Sequence, residues 1–273
     1  MVSLGVIFPP DLAPEQLRPV AMAAEESGLD ELWVWEDCFA ESGIATAAAV
    51  LAWTERLRVG IGLLPVPLRN VALTAMELAT LARLFPGRLM PGVGHGVLDW
   101  MGQVGARVPS PMTLLAEYTT ALRQLLQGQT ISTSGRYVRL DAVTLAWPPQ
   151  SVPPVLVGAV GPRTLALAGA VGDGVILTEQ TTEDQLPEAV RQVLAGRTDA
   201  GRSGFDAPLE VVTFVKVAGR PSAADVAARV SRFVEAGATT VALLSVGEDA
   251  PPLADFARFA GQQVRPLLGL SPS

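Results

Sequence analysis

The sequence predicts a parallel α/β fold, an eight-stranded (β/α)8 TIM barrel, on three observations. Strand and helix patterns alternate from one end of the chain to the other, and eight such units can be counted. No Ser/Gly tract, charge block or low-complexity stretch divides the 273 residues. Glycine and proline fall at the ends of the predicted elements as punctuation. Such alternation selects a parallel sheet over a sandwich or a bundle, with an open doubly wound sheet as the rival. At 49% hydrophobic residues the chain can fill the core of one barrel domain spanning residues 1–273.

The first strand is Ser3 to Phe8, followed by a helix with apolar positions Leu17, Val20, Ala21 and Ala24 that stops at Gly28. Strand two runs from Glu31 to about Glu36. An alanine-rich helix, Ala45 to Glu55, leads into strand three, Leu57 to Leu64. Helix three, Val71 to Leu84, ends at Pro86 and Gly87, and strand four is Arg88 to Gly94.

Roughly sixty residues then pass before the next strand, much more than an ordinary crossover, so an insertion is expected there. Ser110 and Pro111 look like an N-cap and first-turn pair, with Leu115, Tyr118, Leu122 and Leu125 on one helical face. Thr130 to Leu140, turning at Ser134 and Gly135, reads as a hairpin. Strands five to eight are Val155 to Ala159, Gly174 to Thr178, Val211 to Val217 and Thr240 to Ser245. Thr182 with Gln185 has capping-box spacing, and Ser222 with Asp225 a weaker version. Phe256, Phe259, Ala260 and Leu267 mark the stripe by which the last helix docks on the barrel wall.

A net charge of −7 argues against nucleic acid, whose phosphates need clustered basic residues. One cysteine, Cys38, excludes an internal disulfide, and one histidine, His95, leaves too few soft ligands for a zinc site, so no metal is expected. Met1 to Pro10 lacks the basic start and apolar run of a signal peptide, and no stretch reaches the length of a membrane span. A cytoplasmic protein without a membrane partner is expected.

Glycines recur at every second position on two neighbouring strands, Gly60 and Gly62, then Gly92, Gly94 and Gly96. Because strand residues alternate sides, each series clears one face, and an inward face so emptied would leave bare backbone against which a flat ring could lie. Bulges or tight twists fit the same pattern. In such a barrel the active site lies at the C-terminal ends of the strands. Asp37 stands there after strand two and could accept a hydrogen bond from a ring N–H or a substrate hydroxyl, or cap a helix. Neighbouring Glu36 should point to the opposite face, and Cys38 reads as small apolar filling more than as a reactive thiol.

His95, between two glycines, suits a proton donor or a contact to a phosphate or ring carbonyl. Trp100 either roofs the pocket or packs beneath the following helix. Gly158, Ala159, Val160, Gly161 and Arg163 form a small-residue turn before a helix beginning near Pro162, where free amides and the helix dipole would face an anion.

Four places together resemble the bacterial luciferase-like flavin and deazaflavin oxidoreductases, particularly the actinobacterial group using coenzyme F420. They are Leu32 to Asp37, Gly60 to Leu64 with Leu68 to Asn70, Phe85 to Arg88 through Gly92 to Gly96, and Pro154 to Pro162 followed by Gly172 to Gly174. The resemblance implies a barrel with an insertion after strand four and a coenzyme ring at its C-terminal mouth, against strands three and four. It implies a bulge with a non-prolyl cis peptide at Gly62 and Leu63, with Leu64, Gly94 and Gly96 also near the ring, and a coenzyme phosphate on the amides of Gly158 to Gly161.

In the family's sugar-phosphate dehydrogenases a histidine follows the strand-two aspartate and a glutamate follows the strand-four glycines. Here those positions hold Cys38 and Val97, which makes glucose 6-phosphate a poor candidate substrate. The reading that follows is an oxidoreductase transferring hydride between F420 and a small organic substrate, with Asp37 and His95 as the catalytic candidates. An FMN-dependent monooxygenase or reductase is the nearest alternative. A coenzyme-binding protein without turnover and a Schiff-base enzyme using Lys216, the one lysine, are alternatives of other classes. The family also implies a homodimer.

Overall fold

The structure is a computed structural model and describes residues 2–202 and 208–269. Its first half runs β1 (Ser3–Phe8), α1 (Leu17–Glu26), β2 (Glu31–Val34), α2 (Gly43–Trp53), β3 (Arg58–Pro65), α3 (Val71–Leu84) and β4 (Leu89–Gly94). Next come α4 (Leu98–Gln103), α5 (Pro111–Leu126), a hairpin of β5 (Ile131–Ser134) and β6 (Arg139–Val143), then β7 (Leu156–Gly158) and α6 (Pro162–Val171). The chain continues with β8 (Gly174–Leu177), α7 (Leu186–Asp199), β9 (Glu210–Ala218), α8 (Ala223–Glu235), β10 (Thr240–Val246) and α9 (Leu253–Phe259). Eight strands close a parallel barrel in the order β1-β10-β9-β8-β7-β4-β3-β2, while β5 and β6 pair with each other, antiparallel. The closed barrel is realised and the open sheet is not.

Local chemistry sets most boundaries. Gly28, at φ 78°, ends the turn after α1, a conformation that side chains with a Cβ resist. The Ser42 hydroxyl accepts from Ala45 N at 3.4 Å, which starts α2 two residues before the apolar pattern does. Asn70 caps α3 through Ala72 N at 2.9 Å, and Ser222 caps α8 through Asp225 N at 3.2 Å. The Thr182 pair forms half of its capping box: the Gln185 side chain accepts from Thr182 N at 3.1 Å, while the Thr182 backbone carbonyl takes the Gln185 amide.

After β4 the expected helix and hairpin are present. α5 packs against α3 and α6, as the crossover helix of its unit does, and the short α4 precedes it. Glu117 on α5 holds the hairpin turn by accepting from Arg136 N, Tyr137 N and Val138 N at 2.9, 2.8 and 3.0 Å. The C-terminal stripe is corrected in one place. After α9 the chain takes a π turn, Ala260–Val264, then a 3-10 turn, Arg265–Leu268, so Val264 is buried and Leu267 is 58% exposed. The wider turn breaks the 3.6-residue spacing on which the stripe relied.

Most of the core lies between strands and helices, and a smaller cluster fills the barrel: Ile7, Trp33, Met90, Leu156, Ile176, Val212, Phe214, Ala242 and Leu244. Trp33 is fully buried there and donates from Nε1 to Glu31 Oε2 at 2.8 Å, and its ring meets Phe214 edge-on at 5.7 Å. Glu31 has no exposure, and burial pushes its carboxyl up against the opposing pull of Arg58, 3.3 Å away.

Outside the barrel, α6 and α7 cross in backbone contact. A Cβ on Gly169 would lie 1.8 Å from the Val193 carbonyl oxygen, and one on Gly196 would lie 1.9 Å from that of Ala166. Gly169→Ala and Gly196→Ala are each expected to lower stability by about 2 to 3 kcal/mol, because the helices must separate to admit a methyl group. Urea denaturation measures this, and a midpoint unchanged in both variants would contradict the crossing.

Candidate functional site

The inward faces of β3 and β4 behave differently along their length. The ring of Trp33 lies across Gly60, where a Cβ would come within 2.3 Å of it, and Ile176 covers Gly92 at the same distance. The lower glycines therefore make room for the barrel's own side chains, which corrects the expectation that both lanes form an open cavity wall. Only above this layer does space remain, about 520 Å³ at the C-terminal ends of β3, β4, β7 and β8. Phe214 and Trp35 line it together with Gly62, Gly96 and Gly158, whose missing side chains make room for Phe214, Pro65 and Leu63 respectively.

A register shift between Ile61 and Leu64 against β4 inserts one residue into β3, and the Gly62–Leu63 peptide within it is cis. Gly62 and Leu63 consequently both line the cavity. Leu63 lies over Gly94 and Gly158, where Cβ atoms would stand 2.6 and 2.2 Å from its methyl groups. Gly94 is thus covered and does not line the space. Leu64 returns to the outer face, 1% exposed in the main core, so it is placed away from the cavity.

Asp37 lines the cavity, and burial alone raises its carboxyl above the ordinary carboxylate value. Glu36 turns outward as alternation requires. Its carboxylate accepts from Gly43 N at 2.7 Å and from both terminal nitrogens of Arg69, one at 3.1 Å. The strand-two turn is thereby tied to the starts of α2 and α3. A second cis bond joins Cys38 and Phe39. Burial first, then the charges of Glu36 and Asp37, push the Cys38 thiol up, which keeps it protonated and poorly nucleophilic.

His95 also lines the cavity, and burial holds its imidazole below the usual value against the opposing Pro111 carbonyl, so it is neutral at pH 7. Gly96 follows at φ 68°, and Trp100 reaches the same wall. Three polar atoms on residues lining the space are buried and lack partners among the described residues: Trp35 Nε1, His95 Nδ1 and Thr178 Oγ1. Buried polar atoms are seldom left so, and their gathering here fits a ligand that carries both donors and acceptors.

At the start of α6, Ala159 is not a free donor, since its amide bonds Ile176 O at 3.1 Å. The first helical bond is Leu165 N to Gly161 O, 2.9 Å, which leaves the amides of Val160, Gly161, Arg163 and Thr164 without a backbone acceptor among the described residues. The available set is thus shifted toward the helix. The Arg163 side chain is exposed and outside the cavity lining, whereas Thr164 lines it. Sequence reading did not single out Trp35, Phe214 or Thr164; Trp35 shares the inward parity of Trp33, the one signal that could have found it.

The family model described as luciferase-like monooxygenase matches residues 4–265. The chain belongs to that family. Among its relatives, the 5,10-methylenetetrahydromethanopterin reductase of Methanolobus tindarius is 28% identical over 257 residues, 93% of this chain and 78% of the relative. The F420-dependent glucose-6-phosphate dehydrogenase of Kineococcus radiotolerans is 34% identical over 205 residues, 68% of this chain and 61% of the relative. An F420-dependent secondary alcohol dehydrogenase, solved with an F420-acetone adduct, superposes with a TM-score of 0.86 at 20% identity over 98% of this chain and 99% of that one. A monooxygenase from Streptomyces bottropensis superposes at 0.78 with 19% identity over 97% and 99%. These two likenesses concern the fold.

Asp37, raised by burial, holds its proton more tightly in the folded protein than in the unfolded chain, so the stability it contributes while protonated is present at acid pH and lost as pH rises through the raised value. Asp37→Asn is expected to raise the melting temperature at pH 8 and to change it little near pH 3. His95, the single histidine, should give one imidazole NMR resonance titrating below about 6.5. A wild-type advantage over Asp37→Asn at pH 8, or an imidazole titrating above that value, would contradict the burial of these groups.

Proposed function

We propose that the protein is an oxidoreductase that transfers hydride between coenzyme F420 and a small organic substrate. The observation that carries this reading is the cavity above Trp33 at the C-terminal ends of the strands, edged by Trp35 Nε1, His95 Nδ1 and Thr178 Oγ1, which have no partner among the described residues. Its volume, about 520 Å³, lies in the range of cofactor sites. Membership of the luciferase-like family and the F420-dependent relatives support the choice of coenzyme. When bound, the deazaflavin supplies two-electron hydride chemistry.

The chain's part is to bind, orient and keep water away. Gly62 and Leu63 would carry one face of the ring. The amides of Val160, Gly161, Arg163 and Thr164 would hold the coenzyme phosphate at the start of α6, where the helix dipole favours negative charge. With its one N–H directed to the Pro111 carbonyl, neutral His95 is suited to accept a hydrogen bond at Nδ1 from the ring or substrate, and Asp37 to hold or move a proton at its carboxyl oxygen. Cys38 and exposed Val97 supply no acid–base pair, which supports a substrate other than glucose 6-phosphate.

FMN is the competing coenzyme, since the fold is shared with a monooxygenase and with a riboflavin lyase solved with modified FMN. A homodimer belongs to the same proposal, supported by apolar side chains exposed on and beside α3: Leu73, Met76, Leu84 and Trp147. No described helix is long and apolar enough to cross a membrane, and a cytoplasmic location is part of the proposal too.

Titration with F420 and with FMN, followed by absorbance and tryptophan fluorescence, should show F420 binding at least about tenfold tighter. Gly158→Val, which forces Leu63 out of its place, should weaken that binding by about tenfold or more. Asp37→Ala or His95→Ala should slow turnover of reduced F420 by about a hundredfold. Tighter FMN binding with oxygen uptake would replace the reading with a monooxygenase, and unchanged turnover in both alanine variants would remove those residues from the chemistry.

A further inference from the structure

A second cavity, about 540 Å³, opens across the barrel mouth from the first, between Pro9 to Asp11 after β1, Lys216 on β9 and the end of β10. Trp35 and Glu179 line both cavities, so they form a partition between two neighbouring lobes. Trp35 Nε1, in that partition, is buried without a partner among the described residues. The walls of the second lobe are largely apolar, with Pro9, Pro10, Leu244 and Val246.

Lys216, the only lysine in the chain, follows Phe214 by two residues and therefore stands on the inward face of β9, above the aromatic floor. Its Nζ lies 3.2 Å from Glu179 Oε1, and Glu179 is the less exposed partner at 21%. An ammonium carries three N–H donors, and this ion pair engages one. Donors are thus available to a ligand oxygen. The balance of charge is another matter, because one cation, Lys216, faces two carboxylates, Glu179 and Asp11.

We propose that this lobe is a selection site beside the coenzyme lobe and that the Lys216–Glu179 pair selects the substrate there by charge. Compact, largely apolar compounds bearing a neutral carbonyl oxygen are accepted, and carboxylates and phosphates are rejected. Lys216 donates to the neutral oxygen while Glu179 cancels its charge and, with Asp11, repels anions. The role in turnover rests on the coenzyme reading, since hydride transfer needs direct contact and a compound selected here must pass Trp35 and Glu179 to meet the coenzyme beside Asp37 and His95. The charge filter does not, and it can be measured without coenzyme.

Cyclohexanone and 4-oxocyclohexanecarboxylate serve as probes on the coenzyme-free protein, by saturation-transfer NMR and tryptophan fluorescence. Wild type should bind the ketone about tenfold more tightly than the keto acid, and Glu179→Gln should narrow the ratio to about threefold or less. Lys216→Met should weaken the ketone about threefold or more and widen the discrimination. Circular dichroism and melting curves verify that each variant is folded. Equal or tighter binding of the keto acid by wild type, an unaltered ratio in Glu179→Gln, or no ketone binding at tens of millimolar would overturn the proposal. Selective ketone binding in a protein that fails to bind F420 would refute the coenzyme reading alone.

Discussion

Volume exclusion by Trp33 organises the rest of the structure. An indole fully buried inside an eight-stranded barrel leaves no room for a side chain on the adjacent strand, and Gly60 answers that constraint. Trp33, Phe214 and Ile176 together close the barrel's lower half as a packed layer. Ligand space begins only above it. The depth of the candidate site is therefore fixed by packing, and the same rings that stabilise the barrel provide its floor.

Above that layer the backbone substitutes for side chains. The extra residue in β3 turns both Gly62 and Leu63 inward, and the missing side chains at Gly94 and Gly158 give Leu63 its place. One bulge thus converts a strand edge into a shelf. Around it stand polar atoms with no partner among the described residues, while the helix after β7 offers amides that the helix itself does not use. Such unsatisfied groups cost stability wherever water is excluded, and a ligand that meets them recovers that loss.

Stability and site geometry are coupled through charged groups behind the mouth. Glu36 links the turn carrying Asp37 to Arg69 and to the start of α2. At the opposite end Arg88 donates to the carbonyls of Leu57, Leu51 and Thr54, and Asp173 accepts from Arg123, Arg202 and Val155 N. These contacts tie loops to strands at the base of the barrel, and that leaves the mouth to binding.

Much of this was legible in the sequence because it depends on local periodicity. Strand and helix alternation gave the barrel, glycine parity gave the inward faces of β3 and β4, and position after a strand placed Asp37, His95 and Gly158 to Gly161 at the mouth. The Ser222 cap was readable for the same reason, since it acts within three residues of itself. Tertiary structure alone decided which inward glycines are open: Gly60 lies beneath Trp33 from β2 and Gly92 beneath Ile176 from β8. It also decided that the Ala159 amide is taken, that Leu64 faces outward, and that Lys216 meets Glu179 across the mouth. Each of those outcomes depends on another strand or loop that the closed barrel brings alongside, and a residue's own neighbours along the chain carry no information about which side chain is thereby placed over it.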